Sequence, residues 1–436
     1  MSIEILTVLF FGSLVVFLML GVPVVFVLGG ISVIFLYFTW GPHAFYIVAS
    51  RMWTTMNNFT LIAIPLYILM AMILERSGVA QRLYHMMHLW WGGIRGGLAI
   101  GTIFICAIFG AMVGISGAAV TAMGTIALPA MLKRGYDKEL VLGAINTGGG
   151  WGVLLPPSIL MVLYSLITGV SVGQLFAAGV GPGILLIIMA AIYIAIRCHL
   201  QPHLGPPLPP EERGDWSEKL AALRAVILPI LIVFFVLGSI FAGLATPTEA
   251  AAIGVFGALV TSFVNRQFSW SMLGEASLRT FRLTAMIMWI LFAAHAFSTA
   301  YTAMGAQSFI TELMNYVPGG KWGALIAIMV ILFLLAMVLD PVGIMLITLP
   351  VFMPLVAMHG FDPIWFGILF IIMMEIGYMT PPFGFNLFYL KGVAPPDVTM
   401  GDIYRSIVPY TIVELVGLAI IIMFPAIALW LPSMLF

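Results

Sequence analysis

"GGGWGVLLPPS", Gly148 to Ser158, lies inside a long apolar run. Four glycines and two adjacent prolines fall within its eleven positions. Glycine loosens a helix, and proline removes an N–H and leaves an earlier carbonyl unpaired. A helix that only has to cross a bilayer has no use for either. Irregular backbone at membrane depth is tolerated only where it is buried in protein or lines a wet cavity. The stretch therefore reads as the middle of a broken helix with a binding task.

Membrane depth follows from composition. The chain of 436 residues is 62% hydrophobic and 8% charged, with a mean hydropathy of +1.16. Soluble domains carry about three times that share of charge. The 17 basic and 17 acidic residues cancel, so no net field points to nucleic acid. Cys106 and Cys198 fit no metal spacing and read as structural. "MSIEILTVLFFGSLVVFLML" lacks a basic start and a small-residue cleavage site, so it reads as a retained first helix.

A crossing helix needs about 20 apolar residues. Candidate runs are 4–20, 21–38, 57–75, 96–112, 116–132, 139–165 and 175–197, then 225–243, 247–264, 283–300, 322–338, 341–357, 364–390 and 408–430. Between the two sets lies "HLQPHLGPPLPPEERGDWSEK" (199–219), rich in proline and charge and expected to be exposed. The chain thus divides into 1–198, a linker 199–224, and 225–436.

The halves repeat. At an offset of 225 residues "PAMLKRGYD" (129–137) matches "PLVAMHGFD" (354–362), and in the same register "GVLLPPS" (152–158) matches "GYMTPPF" (377–383). Nearby, "GQLF" (173–176) matches "GDIY" (401–404), Gly97 matches Gly323, and "GVPVVFVLGG" (21–30) matches "ATPTEAAAIG" (245–254). Seven runs per half is an odd number, which predicts that the second half is inverted. The basic residues agree: loops 76–95 and 133–138 are basic where their counterparts are poor, and the bias reverses for 265–282 and 391–405. With the linker included, every Lys and Arg except Arg51 and Lys321 falls on one side. By the positive-inside rule that side is cytoplasmic, so the linker is predicted inside and both termini outside.

Inverted repeats with broken helices at matching positions are a secondary-transporter signature. "GGGWGVLLPPS" and "EIGYMTPPFGFN" (375–386) then form the two halves of an ion and substrate site. Freed carbonyls suit a sodium ion, and helix N-termini suit an anion. A second break precedes each: "GISGAAVT" (114–121) and "LDPVG" (339–343). Each reads as a hairpin tip, in hairpins near 96–132 and 322–357 that precede broken helices 139–165 and 364–390. Glycines that merely let helices pack closely are the plain alternative.

"FGAMVGISGAAVTAMGTIALPAMLKRGYD", "ATPTEAAAIGV" and "LDPVGIMLITLPVFMPL" with "EIGYMTPPFGFNLF" strongly resemble the large membrane subunit of tripartite ATP-independent periplasmic (TRAP) transporters, over essentially the whole chain. The resemblance implies an all-α polytopic fold of two inverted-topology repeats with re-entrant hairpins, working as a sodium-driven elevator in the bacterial inner membrane. It implies a small four-helix membrane partner, a periplasmic substrate-binding protein and a small organic-acid substrate. No cofactor is implied beyond coupling sodium ions. Carried over, one sodium site uses Ser116, Thr147, Gly148, Gly152 and Leu155. The other uses Leu339, Asp340, Gly377, Met379 and Thr380. Ser116, Gly150, Trp151, Pro156, Ser158, Pro381 and Asn386 are the expected substrate-binding residues.

Among other polar residues, Asp340 is a site or capping residue, Glu375 stands ready to hold the second unwound segment, and Thr246 with Glu249 has capping-box spacing. His295 and Glu414 read as isolated, and "HLWW" (88–91) as interfacial. Three rivals remain. An intramembrane serine protease would use Ser116 of "GISG" and His295, but the duplication has no purpose there. A single-component organic-acid permease would share the repeats without a binding protein. An open channel has no need of two hairpins. Nucleotide-driven pumping lacks a phosphate-binding loop.

Overall fold

The computed structural model describes residues 2–382 and 384–436, and its helices form two matching series. The first is α1 (Ile3–Met19), α2 (Val24–Trp40), α3 (Ala44–Met56), α4 (Ala63–Arg76), α5 (Val79–Trp91), α6 (Gly97–Val113), α7 (Ser116–Lys133), α8 (Lys138–Gly150), α9 (Ile159–Thr168) and α10 (Val172–Leu200). A short α11 (Trp216–Ala222) follows. The second series is α12 (Arg224–Phe241), α13 (Pro247–Val264), α14 (Trp270–Ala303), α15 (Ala306–Asn315), α16 (Gly320–Ala336), α17 (Pro341–Met358), α18 (Pro363–Met379), α19 (Phe385–Val393) and α20 (Met400–Met423), with α21 (Ala426–Leu435) last.

The repeated motif explains itself locally. Gly135 (φ 76°) and Gly360 (φ 68°) end α7 and α17 in the left-handed region. Two residues later Asp137 accepts from the Leu140 N–H at 2.9 Å, and Asp362 accepts from the Ile364 and Trp365 N–H groups at 2.7 and 3.0 Å. The shared Gly-x-Asp is thus a helix stop followed by an N-cap. Thr246 and Glu249 form the expected capping box at α13.

Packing is reciprocal. α4 lies against α13 and α2 against α14; α7 lies against α19 and α17 against α9; α8 lies against α20 and α18 against α10. Each contact has a twin with the halves exchanged. α9 and α19 have 10 and 9 residues, so at 1.5 Å per residue each covers about half of a 30 Å bilayer core. Among the described residues, seven helical segments are long and apolar enough to cross a membrane, eight with the bent pair of 59–75 and 79–91.

Two expectations change. The run 408–430 is not one helix: the chain breaks at Phe424 and Pro425, between α20 and α21. The linker is not free. Its backbone pairs with the first half through Gly96 N–H to Gly205 C=O (2.8 Å), Leu208 N–H to Gly92 C=O (2.7 Å) and Asp137 N–H to Leu204 C=O (2.9 Å). Leu204 and Leu208 are buried. Trp90 of "HLWW" donates to the Lys219 carbonyl and meets Trp216 edge-on, so it helps to seat the linker.

Ion pairs join loops of opposite halves. Lys138 lies 3.6 Å from Asp402, and Arg405 lies 3.4 Å from Glu139. Arg76 lies 3.7 Å from Glu275, and Arg279 lies 3.5 Å from Glu75. The start of α8 therefore shares a face with the start of α20, and the end of α4 shares one with the start of α14.

Candidate functional site

Two hairpins and two broken helices converge on one cavity. α6 stops at Gly114, whose φ of 63° turns the chain, and Ser116 opens α7. In the other half Asp340 caps α17, accepting the Gly343 N–H at 2.9 Å. Between these tips lies a cavity of about 430 Å³. Ser116, Asp340, Asn386, Tyr378 and Tyr389 supply its polar wall, and Ile287 and Ile290 of α14 part of its apolar wall.

Ser116 Oγ donates to Asn386 Oδ1 at 2.8 Å. The bond ties the first hairpin tip to the half-helix α19 of the second half. The Asn386 side chain is fully buried, and its amide NH2 finds no partner among the described residues. A buried donor left unpaired costs about 1–3 kcal/mol, so a bound acceptor has a prepared place.

The predicted substrate residues separate. Ser116 and Asn386 line the cavity; Gly150, Trp151, Pro156, Ser158 and Pro381 do not. Gly150 lies just behind, where a Cβ would come 3.7 Å from Asn386 Nδ2 and 3.5 Å from the Met379 methyl. Ser158 caps α9, accepting from the Met161 N–H. Trp151 is fully buried and donates its indole N–H to Glu414 Oε1 at 2.7 Å. It braces the break against α20 and does not face the cavity. Glu414, which read as isolated, is therefore its anchor.

The predicted sodium ligands separate too. Of the two sets only Ser116 and Asp340 line the cavity. Thr147 and Gly148 lie within α8, and Gly377 and Met379 within α18, so unwinding starts later than the glycines suggest. The real breaks are a 3-10 turn over Trp151–Val153 followed by 154–158, and 380–384 in the second half, where Phe383 lies outside the described residues. The Thr147 hydroxyl is buried without a partner among the described residues, whereas the Thr380 hydroxyl bonds the Ile376 carbonyl at 2.6 Å. The Leu339 N–H bonds the Leu335 carbonyl at 2.9 Å, and Leu155 is half-buried.

The glycines have a packing duty. A methyl at Gly148 would approach Ile103 Cα to 3.0 Å. A methyl on Gly152 would run into the backbone of Gly110, and one on Gly377 into Ala336. These two contacts are equivalent: each presses a hairpin's first limb against its own broken helix.

Two buried acids that the sequence reading treated separately, Glu375 of α18 and Glu414 of α20, lie outside the cavity wall. Glu375 is fully buried, and among the described residues neither of its oxygens has a hydrogen-bond partner. The available signal was two carboxyl groups in apolar runs at membrane depth.

Comparison with known proteins agrees with this architecture. Residues 11–427 match the model of the DctM component of the tripartite ATP-independent periplasmic transporter. The C4-dicarboxylate TRAP transporter large permease DctM of Pseudomonas aeruginosa is 36% identical over 90% of either chain. The ectoine TRAP transporter large permease TeaC of Halomonas elongata is 34% identical over 86% of this chain and 87% of its own. In fold, the chain resembles the YdaH transporter of Alcanivorax borkumensis (TM-score 0.59, 16% identity, covering 89% of this chain and 88% of that one). It also resembles MtrF of Neisseria gonorrhoeae (TM-score 0.64, 13% identity, 91% and 85%). The chain belongs to the DctM family, as a multi-pass large permease subunit of a TRAP transporter and not an enzyme.

Proposed function

We propose that this permease carries out sodium-coupled uptake of a small organic acid across the bacterial inner membrane, by an elevator motion. A periplasmic binding protein delivers the solute and a small membrane subunit braces the scaffold. The carrying observation is the cavity shared by the two hairpin tips, with Ser116 and Asn386 of opposite halves joined across it. Hairpins α6–α7 and α16–α17 with broken helices α8–α9 and α18–α19 form the moving body. α14, which contributes an apolar wall of the cavity, belongs to the scaffold.

Inverted halves are supported by the ion pairs. In a parallel repeat the start of α8 and the start of α20 would lie on opposite faces, yet Lys138 and Asp402 are 3.6 Å apart. The charge bias supports a cytoplasmic linker with both termini outside. The relatives' dicarboxylate and ectoine both carry carboxylates, which is the substrate class proposed here.

Sodium belongs at the tips, where Ser116, Asp340 and nearby carbonyls offer hard oxygen donors. The test is thermal unfolding of the chain purified with its small partner, in sodium against potassium and choline at matched ionic strength. A ligand at a hundredfold excess over Kd stabilises by about 2.7 kcal/mol. The expected result is a sodium-specific rise that Asp340→Asn abolishes. Equal stability in all three cations sinks sodium coupling.

A further inference from the structure

Among the described residues the cavity between the tips has no basic side chain in its wall, and its one charged group is Asp340. A basic side chain that greets a carboxylate must therefore lie elsewhere on its route. Three other cavities, of about 300, 190 and 370 Å³, share Arg51 and His295 in their walls. They therefore meet at these two side chains. None has an Asp or Glu in its wall, and among the described residues no carboxylate pairs with Arg51. Hydroxyl and amide groups of Thr54, Asn58, Ser298 and Thr302 line the same spaces.

The location is as informative as the chemistry. One of the three cavities is walled on one side by Arg51 of α3 and His295 of α14, and on the other by Thr168 at the end of α9 and Pro350 and Pro354 of α17. It lies at the seam between scaffold and moving body. α14 also walls the central cavity through Ile287 and Ile290. From Ile287 to His295 a helix rises about 12 Å. Both cavities thus open along one stretch of α14, a short step apart.

We propose that Arg51 and His295 form a second, carboxylate-binding site, a vestibule in which the organic acid is held before it passes along α14 to the tips. The proposal rests on the function proposed above, which places the Arg51 end of the molecule outside. Arg51 grips the carboxylate through its planar fork of donors. His295 and the Ser298 hydroxyl supply further donors. The central site then needs no basic residue, because charge recognition occurs first and elsewhere.

The test is arginine-selective labelling of the purified wild-type complex with phenylglyoxal, read residue by residue by mass spectrometry. Succinate is the probe, in sodium-free buffer, against chloride at matched ionic strength. Succinate is expected to slow labelling of Arg51 several-fold while exposed Arg95 and Arg224 label unchanged, and His295→Ala is expected to weaken that protection. Equal protection of all three arginines overturns the proposal, as does none at Arg51. Protection by phosphatidylglycerol nanodiscs but not by succinate overturns it in favour of a lipid headgroup. In proteoliposomes Arg51→Gln is expected to raise KM for uptake roughly tenfold with kcat little changed. An unchanged KM also overturns it. The labelling needs no gradient, sodium or binding protein, so it fails or succeeds apart from the transport reading.

Discussion

Ser116 and Asn386, 270 residues apart in sequence, are joined by a 2.8 Å hydrogen bond that closes the first hairpin tip onto the second half's α19. The serine hydroxyl is the donor, so the asparagine carbonyl is occupied, and among the described residues its NH2 has no partner. On the proposed function, substrate or an ion-ordered carbonyl completes that group. Ser116→Ala and Asn386→Ala should each lower uptake, and the double variant should fall short of the sum. The expected coupling is about 0.5–3 kcal/mol. Strict additivity in a double-mutant cycle of uptake rates would show that the bond does not serve transport.

The Gly110–Gly152 contact predicts a stability effect. A methyl on either residue meets backbone that cannot yield, unlike the end of a flexible side chain. Gly152→Ala should cost about 1–3 kcal/mol in thermal or denaturant unfolding. Gly12, in the middle of α1, has open space around it, and Gly12→Ala should be neutral or stabilise by up to about 1 kcal/mol. If both substitutions behave alike, the close approach is not what selects glycine at 152.

Those glycines also show where sequence reading stops. The Gly-x-Asp and Pro-Pro repeats located both broken helices, because stops, caps and breaks are local chemistry. A run such as Gly148–Gly150 was read as freed backbone, yet it stays helical and serves close packing. Local sequence is the same in both cases; only the neighbouring helix distinguishes them. Trp151 was assigned to substrate for a similar reason. Its partner, Glu414, lies 263 residues away on α20, and no local pattern reveals that pairing. The linker's proline and charge read as solvent exposure, whereas its backbone bonds to the α5–α6 turn and the start of α8 hold it down.

The Trp151–Glu414 bond is a bracing contact with a measurable signature. Glu414→Ala leaves a buried indole N–H unpaired and should destabilise by about 1–3 kcal/mol. Glu414→Gln keeps an acceptor oxygen and should recover most of that loss. Transport should follow the same order, with kcat falling more than substrate affinity, because the bond holds the break in shape and lies outside the cavity. Equal loss in the Ala and Gln variants would mean that charge at position 414, and not the bond to Trp151, is what matters.

The linker gives a pH prediction. Glu212 accepts from Arg134 at 2.7 Å, and that hydrogen bond together with the guanidinium charge lowers the Glu212 pKa below its ordinary value. His88 lies 3.9 Å away on the same carboxylate. A carboxyl whose pKa is depressed on docking favours the docked state above its free pKa, about 4.3. That contribution is lost as pH falls through the lower docked value. The linker should therefore hold firm at neutral pH and loosen in acid, most steeply below about pH 4. Limited digestion by pepsin, scored for cleavage within 199–224, where Leu204 and Trp216 offer sites, measures this directly. Glu212→Gln should give the looser digestion pattern already at the upper end of pepsin's working range and change little as pH falls. A wild-type pattern with the same steep pH dependence in the variant would assign the transition to another group.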